Sequence, residues 1–179
     1  MITRITALDY AIMGLLQEGA KTGYVIRQVF EQTALGTYSS SPGSIYPALK
    51  KLEKRALVIK KALAKGDKEQ FVLLPAGKTA LLAWLNSELQ KEDIEKHMTE
   101  VLLKFAFMET LLSKKKRIDF LKNLAALLEE HIHELKTFHQ MHTDLLSLHG
   151  RLALENGIEG QAAHLRWTRH AIKEIRHAI

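Results

Sequence analysis

Ser41-Pro42-Gly43-Ser44-Ile45-Tyr46-Pro47-Ala48-Leu49-Lys50-Lys51-Leu52-Glu53-Lys54 is the stretch on which the reading of this chain turns. Serine before proline is a strong helix start, because proline at the first helical position gives up only an N–H that would be unpaired anyway. At ~100° per residue Ile45, Leu49 and Leu52 share one face, which predicts its burial, while Tyr46, Lys50, Lys51 and Lys54 point outward. Pro47 removes one early helical hydrogen bond and predicts an irregular first turn.

Two helices precede this stretch. Leu8, Ile12, Leu15 and Leu16 recur at helical spacing and Gly19 closes the first; Thr22 caps a second that shows Ile26, Val29, Phe30 and Thr33 on one face and ends at Gly36. After Leu57 the period shortens. Val58 to Ala64 and Gln70 to Leu74 read as strands joined by Lys65-Gly66-Asp67-Lys68, Pro75 stops the second, and Ala76 to Leu89 reads as helix. Three helices and a basic hairpin are the order of a winged helix-turn-helix, in which the third helix enters the major groove and the wing meets flanking backbone. A small α+β domain with a basic surface is the alternative.

Charge separates the halves. The 179 residues carry a formal net charge of +6. Residues 1–85 hold 12 Lys/Arg against 6 Asp/Glu, whereas residues 86–179 hold 14 of each. Eight basic residues fall between Lys50 and Lys68 against Glu53 and Asp67. Such a stripe suggests a polyanionic partner. Lys50, Lys51 and Lys54 on the helix, with Lys60, Lys61, Lys65 and Lys68 on the wing, are expected at phosphates; Ser44 and Tyr46 are better suited to reading bases.

The second half predicts long helices. Ile94, Met98, Val101, Phe105, Met108 and Leu112 form one seam. A second passes through Ile118, Leu121, Ala125, Leu128, Ile132 and Leu135 and drifts through Phe138 to Leu152. A single helix from Lys116 to Leu152 would run about 50 Å, and Gly157 and Gly160 would set off a last helix bearing Leu165, Ile172, Ile175 and Ile179. Heptad-like spacing favours another helix as the partner, most simply through a two-fold homodimer. Met98, Val101, Phe105, Leu121, Leu128, Ile132, Leu135, Leu165, Ile172 and Ile175 are the expected dimer contacts. An intramolecular bundle is the alternative.

Leu8 to Gly77 resembles the PadR family of bacterial transcriptional regulators. The resemblance rests on the leucine-rich first helix, Thr22-Gly23-Tyr24, the Ser41 to Leu49 run with Leu52-Glu53, and Phe71-Val72-Leu73-Leu74-Pro75-Ala76-Gly77 closing the wing. Leu74 departs from the usual threonine and Phe71 from a common tyrosine. The second half resembles the longer PadR subfamily in length and layout only. The resemblance implies a homodimeric DNA-binding regulator, most often a repressor, released by a small molecule or another signal. It places Tyr24, Tyr46 and the wing lysines where the family meets double-stranded DNA, with Ser41 assigned to the same face.

The expectation is therefore a mainly α chain: a winged helix-turn-helix DNA-binding domain over 1–85, then a helical dimerisation and effector domain over 86–179 with long coiled-coil-like helices. Trp84 and Trp167 are candidates to frame a planar effector; core or dimer packing is the alternative for both. The rival function is a helical protein-interaction adaptor whose winged-helix unit does not bind DNA.

Other chemistries find little support. With no cysteine there is no thiol nucleophile, disulfide or Cys-ligated zinc. Gly77-Lys78-Thr79 lacks the earlier glycine of a phosphate loop, since position 72 is Val, and His133-Glu134-Leu135-Lys136-Thr137 lacks the second histidine of a zinc protease. No enzyme, cofactor or metal site is assigned. His131, His133, His139, His142 and His149 read as polar positions on a long helix; metal binding, through the i,i+3 pair His139/His142 with Glu130 or Glu134, and a pH-sensitive seam are the alternatives. No apolar run reaches the ~20 residues of a membrane span, and the expected location is the cytoplasm.

Overall fold

The computed structural model describes residues 4–33, 35, 42–62 and 69–177. They fall into two compact units, Met1–Ser87 and Glu88–Ile179.

The first unit begins with α1 (Ala7–Gln17). Thr6 and Asp9 form a reciprocal capping box: the Asp9 N–H donates to Thr6 Oγ1 at 3.4 Å and the Thr6 N–H to Asp9 Oδ2 at 2.7 Å. Gly19 takes φ +136° and turns the chain into the two-residue strand β1 (Lys21–Thr22). Thr22 then caps α2 (Gly23–Gln32), its Oγ1 accepting from the Val25 N–H at 3.1 Å. The helix ends earlier than the sequence suggests, with Thr33 as its C-cap; Gly36 lies outside the described residues.

Next comes α3 (Pro42–Lys54), which runs on through Pro47. Ile45, Leu49 and Leu52 are fully buried on α3, together with Ile12 and Met13 of α1 and Ile26 and Phe30 of α2. Beyond α3, Ala56 adopts φ +52°, with N–H bonds from Ala56 to the Glu53 carbonyl and from Leu57 to the Leu52 carbonyl. This is a left-handed C-cap built without glycine. It delivers the chain to β2 (Val58–Lys61), which pairs antiparallel with β3 (Gln70–Leu73) in the register Val58↔Leu73 to Lys61↔Gln70. β1 pairs with the other edge of β3, making a three-stranded sheet in the order β1-β3-β2. Pro75 opens α4 (Pro75–Leu85), shorter than the Ala76–Leu89 reading. Three helices, a hairpin wing and a closing helix make this unit a winged helix.

Gly77 explains why the wing ends in glycine. A Cβ there would lie 2.2 Å from the Leu57 carbonyl oxygen, the same oxygen that accepts from the Leu74 N–H at 3.0 Å. Only glycine lets α4 start this close to the strand entry.

The second unit holds α5 (Lys91–Lys96), α6 (Met98–Phe107), α7 (Lys114–His142) and α8 (Leu148–His177). The first expected seam is broken at His97, whose backbone (φ −128°, ψ 25°) separates α5 from α6. The expected single helix to Leu152 is overturned: it stops at His142, and the chain reverses over residues 143–147. Gly157 and Gly160 are not a boundary either, since α8 runs through both. α7 and α8, each about 45 Å long, pack together as an antiparallel pair. Lys114 Nζ donates to the Arg176 carbonyl (3.1 Å), Arg169 Nη2 to Glu129 Oε1 (2.9 Å), and His139 Nε2 lies 3.3 Å from Glu155 Oε1.

Within one chain, several of the expected dimer contacts pack against one another. Val101, Leu121, Leu128 and Ile172 are core residues within one chain, with Leu89, Ile94, Leu124 and Ala171; Met98, Phe105, Leu165 and Ile175 pack against that core. Ile132 is buried too and Leu135 half-buried, while Ile179 lies outside the described residues. The apolar side chains left open are Phe138, Met141, Leu145, Leu148 and Leu152, around the α7–α8 turn, with Leu145 81% exposed. Among the described residues, no helix is long and apolar enough to cross a membrane.

Candidate nucleic-acid interface

The outward side of α3 meets the start of α2 and the sheet around a cavity of about 490 Å³. Its lining includes Gly23 and Tyr24 of α2, Tyr46 and Lys50 of α3, Lys60 of β2 and Phe71 of β3. Burying Ile45, Leu49 and Leu52 leaves Tyr46, Lys50 and Lys54 exposed on the opposite face, as the helical period requires. Tyr46 is 43% and Tyr24 54% exposed. Gly23 positions the Tyr46 ring: a Cβ at residue 23 would lie 2.6 Å from Tyr46 Cε1, so the ring lies against bare backbone. The Arg27 guanidinium stands 5.4 Å from the Tyr24 ring centroid, a cation–π contact.

Lys51 does not join this face. Its ammonium donates to Asp9 Oδ2, and Asp9 is 0% exposed. Oδ2 also accepts from the Thr6 N–H and from Thr6 Oγ1 at 2.8 Å, whereas Asp9 Oδ1 has no hydrogen-bond partner. Lys51 is therefore the counter-charge that makes a buried carboxylate on α1 tolerable, rather than a group that meets phosphate.

On the wing, Lys60 pairs with Glu69 across the hairpin, and Lys61 is exposed. Ser44 is half-buried in the first turn of α3. Ser41, Lys65 and Lys68 lie outside the described residues. Gly23, Glu53 and Phe71 were named in the sequence but not as part of this face, and Glu69 was missed, as was Arg27 beside Tyr24. Chemically, the face offers phenol hydroxyls that donate and accept, two carboxylate acceptors, and lysines suited to phosphate oxygens.

The tryptophans sit in separate aromatic pairs. Trp84 stacks on Tyr10 with centroids 4.4 Å apart and planes 4° apart, and burial pushes the Tyr10 hydroxyl pKa up. Trp167 meets Phe105 edge-on at 5.2 Å. The packing alternative thus accounts for one contact face of each ring. The histidine pair of α7 is likewise engaged locally: His139 faces Glu155, and His142 Nδ1 lies 2.9 Å from the Phe138 carbonyl, with its ring stacked on Phe138 at 4.2 Å.

The architecture of the first unit defines a class, the winged-helix domains. Residues 12–83 match the model of the transcriptional regulator PadR-like family, so this unit carries a PadR-like domain. The negative transcriptional regulator PadR of Bacillus subtilis (strain 168) is 29% identical over 119 residues, covering 65% of this chain and 64% of that protein. The chain thus spans less than two thirds of that relative. Similar solved structures include Bacillus subtilis PadR in complex with operator DNA (24% identity, TM-score 0.43, 95% of this chain and 99% of that chain). Another is the same protein in complex with p-coumaric acid (23% identity, TM-score 0.45, 96% and 100% covered).

Proposed function

We propose that this chain is a sequence-specific DNA-binding transcriptional regulator, a repressor that binds a palindromic operator as a homodimer and is released by a small molecule or another signal, and that it is not an enzyme. The observation that carries the reading is the gathering of Tyr24, Tyr46, Lys50 and Lys60 from three elements around one open cavity on the α3 face. The PadR-like domain at 12–83 and the relative's name as a negative transcriptional regulator support it.

In this reading residues 1–85 bind double-stranded DNA and residues 86–179 serve dimerisation and the effector. α3 lies in the major groove with Tyr46 at base edges, and Lys50 and Lys54 neutralise phosphates beside it. The β2–β3 wing follows the flanking backbone. Dimerisation through the open apolar side chains near the α7–α8 turn gives two α3 helices related by a two-fold axis, with half-sites one or two helical turns apart.

The test is selection of bound duplexes from a random pool by the full-length protein, followed by salt titration of the variants. An enriched inverted repeat is expected. Lys50→Ala with Lys54→Ala should weaken all duplexes alike and lower the salt slope by ~0.9 for each phosphate no longer neutralised, whereas Tyr46→Ala should relax sequence preference. Failure to retain any duplex would overturn the DNA-binding reading in favour of the adaptor.

A further inference from the structure

In the second unit, three ligating side chains converge from two helices. His131 and Glu134 lie on one face of α7 at i,i+3, and Glu95 of α5 lies across from them. One ligand atom from each falls within 4.8 Å of the other two. His131 Nδ1 stands 3.7 Å from Glu95 Oε1 and 3.6 Å from Glu134 Oε2. That nitrogen is shut off from solvent and has no hydrogen-bond partner, on a side chain only 12% exposed. The two separations are too long for hydrogen bonds. They fall close to the ligand–ligand edge of a tetrahedron around a first-row divalent cation, roughly 3.4 Å for metal–ligand bonds of ~2.1 Å.

A positive charge is already drawn to the carboxylates. Lys91 Nζ donates to Glu134 Oε1 at 2.5 Å and lies 4.0 Å from Glu95 Oε1, one turn along α5. The ammonium satisfies Glu134 from one side and leaves His131 Nδ1 facing both carboxylates at 3.6–3.7 Å. A cation among the three ligands satisfies all of them.

We propose that Glu95, His131 and Glu134 form a binding site for a divalent first-row transition cation, which displaces Lys91 from Glu134 and fastens α5 to α7. One imidazole and two carboxylates, with water completing the shell, match the donors zinc accepts. Lys91 is the built-in competitor.

The experiment is calorimetric titration of chelator-stripped, full-length protein with zinc alone. One site per chain is expected, with affinity at least about tenfold weaker in His131→Asn and in Glu95→Gln. Lys91→Met should bind several-fold tighter, because the competing ammonium is gone. A histidine binding zinc adventitiously elsewhere would not respond to Lys91. Equal affinity and stoichiometry in wild type and Glu95→Gln would overturn the site, as would no zinc uptake by either wild type or Lys91→Met. Glu95 is two-thirds buried at its side chain but lies on the surface of a short helix, so its amide variant keeps the comparison readable if His131→Asn fails to fold.

Discussion

The two units handle apolar surface in opposite ways. The winged-helix unit closes its core on itself, and two of the large side chains it exposes, Tyr24 and Tyr46, lie on a face that also carries lysines. The helical unit buries the start of α7 against the end of α8 and leaves Phe138, Met141, Leu145, Leu148 and Leu152 open at the other end of the hairpin. An exposed tyrosine among cations is equipped for a polar ligand; an exposed cluster of leucine, methionine and phenylalanine is equipped to be covered. The contrast teaches that a pair of helices closes only as much of a seam as there are further elements to pack across it. α5 and α6 supply that cover at one end of the hairpin.

The comparison can be broken most directly inside the first unit. Lys51→Ala should cost about 3–5 kcal/mol, the usual penalty for stranding a buried charge, while Lys50→Ala should stay within about 0.5 kcal/mol. Chemical denaturation followed through Trp84 fluorescence, in a Trp167→Phe background, measures both, and equal costs would remove the Asp9 pair from the core. At the open end of the second unit, Leu145→Glu with Leu148→Glu should weaken self-association about 100-fold, close to 3 kcal/mol, without unfolding the chain. Sedimentation equilibrium reads this, and an unchanged association constant would place the interface elsewhere.

Two kinds of glycine sharpen the contrast further. Gly77→Ala should destabilise by about 1–3 kcal/mol, because the methyl meets the Leu57 carbonyl, which is backbone and cannot swing aside. Gly157→Ala and Gly160→Ala should each stabilise by about 0.5–1 kcal/mol, since nothing lies within 4 Å of a Cβ at either position. Thermal melts of the three variants settle the signs. A loss at residue 157 or 160 would mean that α8 is closely approached there in the assembled protein.

Much of the first unit was legible because periodicity reports burial directly. Ile45, Leu49 and Leu52 went inward, Tyr46, Lys50 and Lys54 outward, and extended strands paired within the two stretches read as the wing. β1 escaped notice because two residues carry no period. Lys51 was misplaced because helical angle alone ignores a neighbour at the flank. The available signal was Asp9, a lone acid beside the apolar run of α1 and hence in need of a cation. The long-helix error has a different origin. The reversal at 143–147 contains neither glycine nor proline, and the apolar spacing continues across it. Ser147 marks the restart, its Oγ accepting from the Gly150 N–H at 3.2 Å, but a single serine is a weak sign inside so regular a pattern. Glu95 and His131 are brought together by packing, which no local pattern encodes.

The Asp9–Lys51 pair also joins two distant points of the chain. The carboxylate leaves the ribosome forty-two residues before its counter-charge, so α1 emerges with a group it cannot bury alone. The buried charge thus makes the seat of α1 in the finished domain depend on a residue of α3, so the two helices are tied by charge as well as by apolar packing.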